Sequence, residues 1–368
     1  MTSSDRLGAF DALRGFAALW VVLHHFAEGQ HMPALLQALP PWVVTSVFRA
    51  GELGVSVFFV LSGVVMVLAV RRLHFDRHNA ARFVWRRLVR LWPPYAVAVA
   101  FGVALLLAKR WLAGPDAPVP SAADVALHLV FLQDMAGVTP ISAVFWTLCL
   151  EVQFYIIFAL TRWSSDRLAN MAGVDAARRE RWRTWAWYAW DAIVLSSTVG
   201  ALQMPMWRGS FLSFWYSFVA GVLCGLALVP GRHAVWVATT YAAVVALSAG
   251  LHAEAYALTA GLTALFVIVM SRWPALQSVL ANSVLARLGL VSYSLYLFHN
   301  PVTALTMRVF RAGVGSGLPA DLLALPVALA ACIAAAVLVY LGIEKVAIGW
   351  SRSVTFRRGD EAPGLVRA

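Results

Sequence analysis

The chain has 368 residues, 61% of them hydrophobic and only 13% charged, with a mean hydropathy of +0.74, which excludes an ordinary soluble domain with its roughly 25% charged residues. A net charge of +11 does not indicate a nucleic-acid partner, because the basic residues fall between apolar runs and form no face of a soluble domain. Cys149, Cys224 and Cys332 all lie inside apolar segments, so neither a disulfide framework nor a thiolate metal site is expected.

Apolar stretches of the ~20 residues needed to span a bilayer run at 8–27, 52–71, 90–109, 142–161, 184–202, 211–229, 234–250, 255–272, 285–310 and 322–343. They predict an all-α integral membrane protein, a single bundle of about ten transmembrane helices. The stretch 121–134 is expected as a loop or a short re-entrant or interfacial helix. Arg14, His24 and His25 do not belong in the apolar core of a signal peptide, so the first segment is expected to remain as a helix. Apart from Arg14, only Arg49, Lys109, Arg110, Arg208, Arg308 and Arg311 among the 29 Lys and Arg fall on the side opposite the N-terminus. The positive-inside rule then puts both termini in the cytoplasm, in the inner membrane of the cell. One transmembrane domain over 1–345 and a short basic cytoplasmic tail over 346–368 follow. Trp182, Trp185, Trp187 and Trp190 read as interfacial anchors.

Ionisable residues inside these spans are the candidates for chemistry, since one at mid-bilayer costs about 2.5–3.5 kcal/mol on insertion scales. Arg14 and His25 lie about 20° apart around one helix and about 16 Å apart along it; they serve two ends of a route, or they snorkel and hydrogen-bond between helices. Arg87 and Arg90, in Arg86-Arg87-Leu88-Val89-Arg90-Leu91-Trp92-Pro93-Pro94, form either a phosphate clamp or a topology signal. Glu151 lies halfway along Trp146-Thr147-Leu148-Cys149-Leu150-Glu151-Val152-Gln153-Phe154-Tyr155 and either orients a histidine or neutralises an arginine. Tyr293, Tyr296 and His299 make a polar stripe before Asn300-Pro301, functional or core. Ser62-Gly63 suits close helix packing. Asp116, Asp124, Asp134 and His128 lie in the largest outer segment, and none shows metal-ligand spacing.

Five of these motifs, taken together and in order, resemble the membrane-bound acyltransferase family 3, integral-membrane acyltransferases of bacterial surface polysaccharides and related glycans. They are Asp11-Ala12-Leu13-Arg14-Gly15 through His25, Gly54 to Gly63, Arg87 to Pro93, Trp146 to Glu151, and Leu288 to His299. Leu150 and the proline-free Glu344-Lys345-Val346 depart from the family pattern. The resemblance implies a cytoplasmic acyl-CoA donor, most often acetyl-CoA, with no permanently bound cofactor. The acceptor it implies is a hydroxyl of a carbohydrate or glycolipid toward the outer face. His25 matches the family's essential histidine, Arg14, Arg87 and Arg90 its arginines, and Glu151 its motif glutamate. No extracytoplasmic hydrolase-like domain is expected after the helices, so the membrane domain or a separate partner handles the acceptor.

The expected mechanism has the arginines hold the donor's phosphates and His25, oriented by Glu151, act as base. Tyr293, Tyr296, His299, Trp146 and Asp134 are candidate acceptor or oxyanion contacts, and acyl transfer through His25 itself is the competing route. A transporter or flippase with a polar midplane, or an inactive scaffold, would use the same residues differently.

Overall fold

The computed structural model describes residues 3–70, 73–114, 116–173, 209–228, 234–252 and 255–356, with positions 175, 178, 179, 181, 182, 185 and 189. Regular structure among them is helical, as expected where lipid offers the backbone no hydrogen-bond partner. The helices are α1 (Ser3–Glu28), α2 (Pro33–Ala38), α3 (Pro41–Val70), α4 (Arg77–Ala113), α5 (Ala122–Leu129), α6 (Trp146–Met171) and α7 (Trp215–Ala227). They continue with α8 (Ala234–His252), α9 (Ala255–Arg272), α10 (Pro274–Ala281), α11 (Val284–Leu290), α12 (Ser292–Val314) and α13 (Leu318–Ser353).

Among the described residues, five helices are long and apolar enough to cross a membrane: Leu7–Glu28, Pro41–Val70, Arg77–Leu112, Ala255–Arg272 and Leu318–Ser353. The 234–250 stretch is helical as expected, in α8, and three of the other expected spans have different bounds. Most of the 142–161 stretch lies in α6, which continues through Arg162, Asp166 and Arg167, and 211–229 is a single 3-10 turn followed by the 13-residue α7. The expected 184–202 span and Trp187 and Trp190 of the tryptophan group lie outside the described residues. The stretch 285–310 is interrupted: Ser283 caps α11 by accepting from the Ala286 N–H (3.2 Å), and Val291 at φ −105°, ψ 8° ends that helix before α12 begins. The last helix runs beyond 343 through a π turn at Tyr340–Glu344, so residues 345–353 are helical and lie against α4.

Glycines set the closest crossings. A Cβ on Gly15 would overlap the Leu285 carbonyl, and one on Gly289 the Asp11 carbonyl, so α1 and α11 meet backbone to backbone. Gly63 and Gly221 do the same for α3 and α7, against the Phe218 and Val60 carbonyls; without a hydrophobic drive between helices in lipid, such contact is what holds them. Gly221→Val is therefore expected to cost at least about 1–3 kcal/mol by overpacking and to lower the thermal midpoint of detergent-solubilised protein. Gly250→Ala, with no atom within 4 Å of the added Cβ, is the control and should not lower it.

Three local devices position the helices around the site. Asp76 caps α4 through the Asn79 N–H (2.7 Å), and the buried Asp166 of α6 accepts from the Phe75 N–H (2.8 Å) and lies 3.2 Å from His74, fixing where α4 starts. The π turn at Val44–Phe48 and 3-10 turn at Arg49–Leu53 leave carbonyls turned toward α1. There the Trp20 indole donates to Ser46 O (3.0 Å) and the His24 Nδ1–H to Arg49 O (2.9 Å). At the far end, buried Asp321 accepts from the N–H groups of Ala34 and Leu35 (2.8 and 3.1 Å) and pairs with Arg311 (3.0 Å), tying α2 to the α12–α13 corner. His128 is structural: Nδ1–H donates to Asp124 O (2.7 Å), and Nε2 accepts from Ile141 N–H (3.2 Å).

Candidate active site

A cavity lies between α1, α3, α4, α6 and α12, the kind of concave space between helices in which small-molecule sites occur. Arg14, Arg87, Arg90, Glu151, Tyr293 and Tyr296 all line it, so six of the residues singled out from the sequence converge on one space. They come from four helices, α1, α4, α6 and α12, brought together by the glycine crossings of α1 and α3 and by the caps that set the start of α4.

The arginines are the cavity's unbalanced charge. No ion pair among the described residues engages Arg14, Arg87 or Arg90. Arg87 is held over rings, its Cζ 5.5 Å from the Phe83 centroid and 5.7 Å from that of Tyr155, which orients the guanidinium without neutralising it. The carboxylate in reach, Glu151, accepts hydrogen bonds from the Ser62 hydroxyl (2.8 Å) and the Tyr155 hydroxyl. A third acceptor site on the same wall is filled at Leu91, whose carbonyl takes the Tyr293 hydroxyl proton (2.7 Å). Asp11 and Glu344 also lie near Arg14 and Arg90, but a space lined by three arginines and, of the carboxylates, by Glu151 attracts anions, and the fork of Arg suits phosphate.

The histidines form a separate group at the other end of α1. His25 Nδ1 lies 2.9 Å from Val21 O and 3.2 Å from His299 Nε2. His299, fully buried, places its own Nδ1 2.8 Å from Tyr296 O and 3.1 Å from Leu295 O. Carbonyls accept only, so the network assigns the proton to Nδ1 on both rings. His299 Nε2 then accepts from His25, and the free lone pair of His25 is on Nε2. That atom lies 3.7 Å from the Glu28 carboxylate, which also stands 3.6 Å from His24 Nε2. A neutral imidazole with a fixed Nδ1–H and an open Nε2 is the form a general base requires.

The structure does not bring Glu151 to His25. The expectation that Glu151 orients the histidine is replaced by two other contacts: its carboxylate is taken by Ser62 and Tyr155 at the arginine end, while Val21 O and His299 hold His25. Between the two groups stands Tyr296. Its ring packs edge-on against Phe58 (5.7 Å) and lies 6.0 Å from His299, and its hydroxyl meets Thr147 (2.9 Å) and Val144 O (3.2 Å). The hydroxyl protons of Tyr293 and Tyr296 are thus directed at backbone carbonyls in this conformation. Trp146, tilted on Phe214 at 5.3 Å, and Asp134, in the loop before α6, lie outside the cavity lining. Reasoning from sequence missed Ser62, set down as packing, and Tyr155. It also missed Glu28, which the i+3 and i+4 spacing from His25 and His24 would have revealed. No group of three or more His, Cys, Asp or Glu suited to a metal occurs among the described residues.

Comparison with known proteins places this geometry. The chain is 29% identical to Acyltransferase MdmB of Streptomyces mycarofaciens, over 99% of this chain and 98% of that protein. It is 26% identical to the putative membrane-bound transacylase BcsY of Komagataeibacter xylinus, over 99% and 89%. It is 30% identical to the exopolysaccharide production protein ExoZ of Rhizobium meliloti (strain 1021), over 75% and 84%. No solved structure matches it. The family model described as an acyltransferase domain matches residues 7–342, from the first turns of α1 into α13. With that match covering every helix that lines the cavity, the chain belongs to the acyltransferase 3 family and is an integral-membrane acyltransferase.

Proposed function

We propose that this enzyme transfers an acyl group, acetyl foremost, from cytoplasmic acyl-CoA to a hydroxyl of a cell-surface carbohydrate or glycolipid, with both termini inside and the site in the inner membrane. The observation that carries the reading is the cavity with three arginines lacking ion-pair partners, with a histidine at the other end of α1 whose Nε2 lies beside Glu28. Two relatives whose names refer to membrane-bound transacylation and exopolysaccharide production support an acceptor of this class.

In this reading Arg14, Arg87 and Arg90 bind the donor's phosphates, and the pantetheine arm runs along α1 past Tyr296 over the roughly 16 Å of helix rise that separates Arg14 from His25. The acceptor hydroxyl approaches from the outer face, where Glu28 is exposed. Its oxygen attacks the thioester carbonyl as its proton passes to His25 Nε2. The C–S bond then breaks, and the CoA sulfur leaves as thiolate and is protonated to the free thiol. The ester and CoA are the products. His299 fixes the imidazole through Nδ1, and Glu28 offsets the charge that His25 gains. Because Ser62 and Tyr155 hold it among the arginines, Glu151 positions those side chains.

The direct test follows thiol release in reconstituted protein. Free CoA should appear only with acetyl-CoA and a glycan acceptor together, with matching mass gain on the glycan. Uptake of glycan without CoA release would overturn the reading in favour of a carrier. Labelled donor without acceptor, quenched rapidly, should leave the protein unlabelled; label on His25 would replace direct attack by an acyl-histidine route.

A further inference from the structure

A second cavity adjoins the first and shares Val65, Arg87 and Arg90 with it. Four arginines line it, Arg86, Arg87, Arg90 and Arg352, together with the rings of Phe83 and Phe356, and no acidic residue does. Arg352 lies in the last turn of α13 and Phe356 three residues past its end, in the stretch that the sequence alone assigns to a tail. The Arg86 guanidinium lies 5.6 Å from the Phe356 ring centroid, and neither Arg86 nor Arg352 has an ion-pair partner among the described residues.

We propose that the end of α13 completes the donor site: Arg352 and Arg86 bind the phosphate at the 3′ position of the donor's adenosine, and Phe356 with the Arg86 plane stacks its base. The inference rests on the acyl-CoA reading above and extends it to residues outside the central cavity. Its chemistry follows from the wall. A phosphate monoester carries close to two negative charges at neutral pH and accepts from several guanidinium N–H groups at once, while an aromatic ring and an arginine plane are the two surfaces on which nucleobases stack. Anionic lipid headgroups share the phosphate chemistry, but a headgroup needs neither a stacking pair nor a passage to the catalytic cavity.

Calorimetry on the full-length protein in phosphatidylcholine nanodiscs tests this with CoA, 3′-dephospho-CoA and pantetheine. Wild-type protein should bind CoA about tenfold or more tightly than 3′-dephospho-CoA, the scale of a lost charge-assisted contact. Arg352→Ala should weaken CoA about tenfold and leave 3′-dephospho-CoA unchanged, which collapses the preference. Phe356→Ala should weaken both nucleotides and leave pantetheine unchanged. Arg352→Gln, which keeps a polar side chain without the charge, should behave as Arg352→Ala, and unchanged thermal midpoints show that the variants fold. A wild-type preference for the 3′-phosphate in Arg352→Ala overturns the proposal, as does an Arg352 effect that arises only when phosphatidylglycerol is added. Failure of wild-type protein to bind CoA overturns the donor reading itself, and this inference with it.

Discussion

His25→Ala is expected to lower acyl transfer by about 10²–10⁴-fold, the range for a positioned general base, with donor affinity unchanged. The loss should fall on kcat, because His25 is remote from the arginines and does not line the cavity they share. His299→Ala should cost less. It leaves Nε2 of His25 in place and removes only one of two acceptors at Nδ1, since Val21 O remains at 2.9 Å. Glu28→Gln should lie between, keeping the shape beside Nε2 and removing the charge that balances imidazolium. Turnover and glycan mass, followed in purified protein with an unchanged thermal midpoint, separate these cases. Near-normal kcat in His25→Ala would end the base assignment.

The second large effect is expected at the other end of α1. Arg87→Ala and Arg90→Ala should each weaken acyl-CoA binding by about ten- to a hundredfold, since a hydrogen bond to a charged group is worth about 1.5–3 kcal/mol. Acceptor affinity should not follow. Arg87→Lys should recover little, because an ammonium cannot reproduce the flat fork held between Phe83 and Tyr155. Titration calorimetry with CoA gives the affinities directly, and equal donor affinity in all variants would remove the arginines from the donor site.

Much of this arrangement is legible in the chain because lipid makes exceptions conspicuous. Arg14, Arg87, Arg90 and Glu151 stand out by their cost in an apolar span, and the same cost explains why they meet in one cavity. What stayed hidden are relations that span position does not encode. The apolar run over 285–310 gives no sign that a cap at Ser283 and a turn at Val291 will divide it. The polar composition after residue 345 conceals a helix that buries Ala347 and Ser351, one turn apart. Of the two partners of Glu151, Tyr155 lies one turn on along α6 and was open to reading from the i+4 spacing, whereas Ser62 comes from α3 and depends on a helix contact that position in a span does not encode.

Tyr296 and Phe58 stand between the arginine cavity and the histidine pair. On the proposed orientation that is the boundary between water reaching in from the cytoplasm and water reaching in from outside. An enzyme whose substrates meet across a bilayer runs the risk of short-circuiting the ion gradients it sits in. Two rings packed edge to face at 5.7 Å would on that orientation interrupt a file of water and keep the resting protein electrically silent. The donor arm itself, sliding past Tyr296, would then act as a plug, and the path that lets an acyl group out need never be open to a proton.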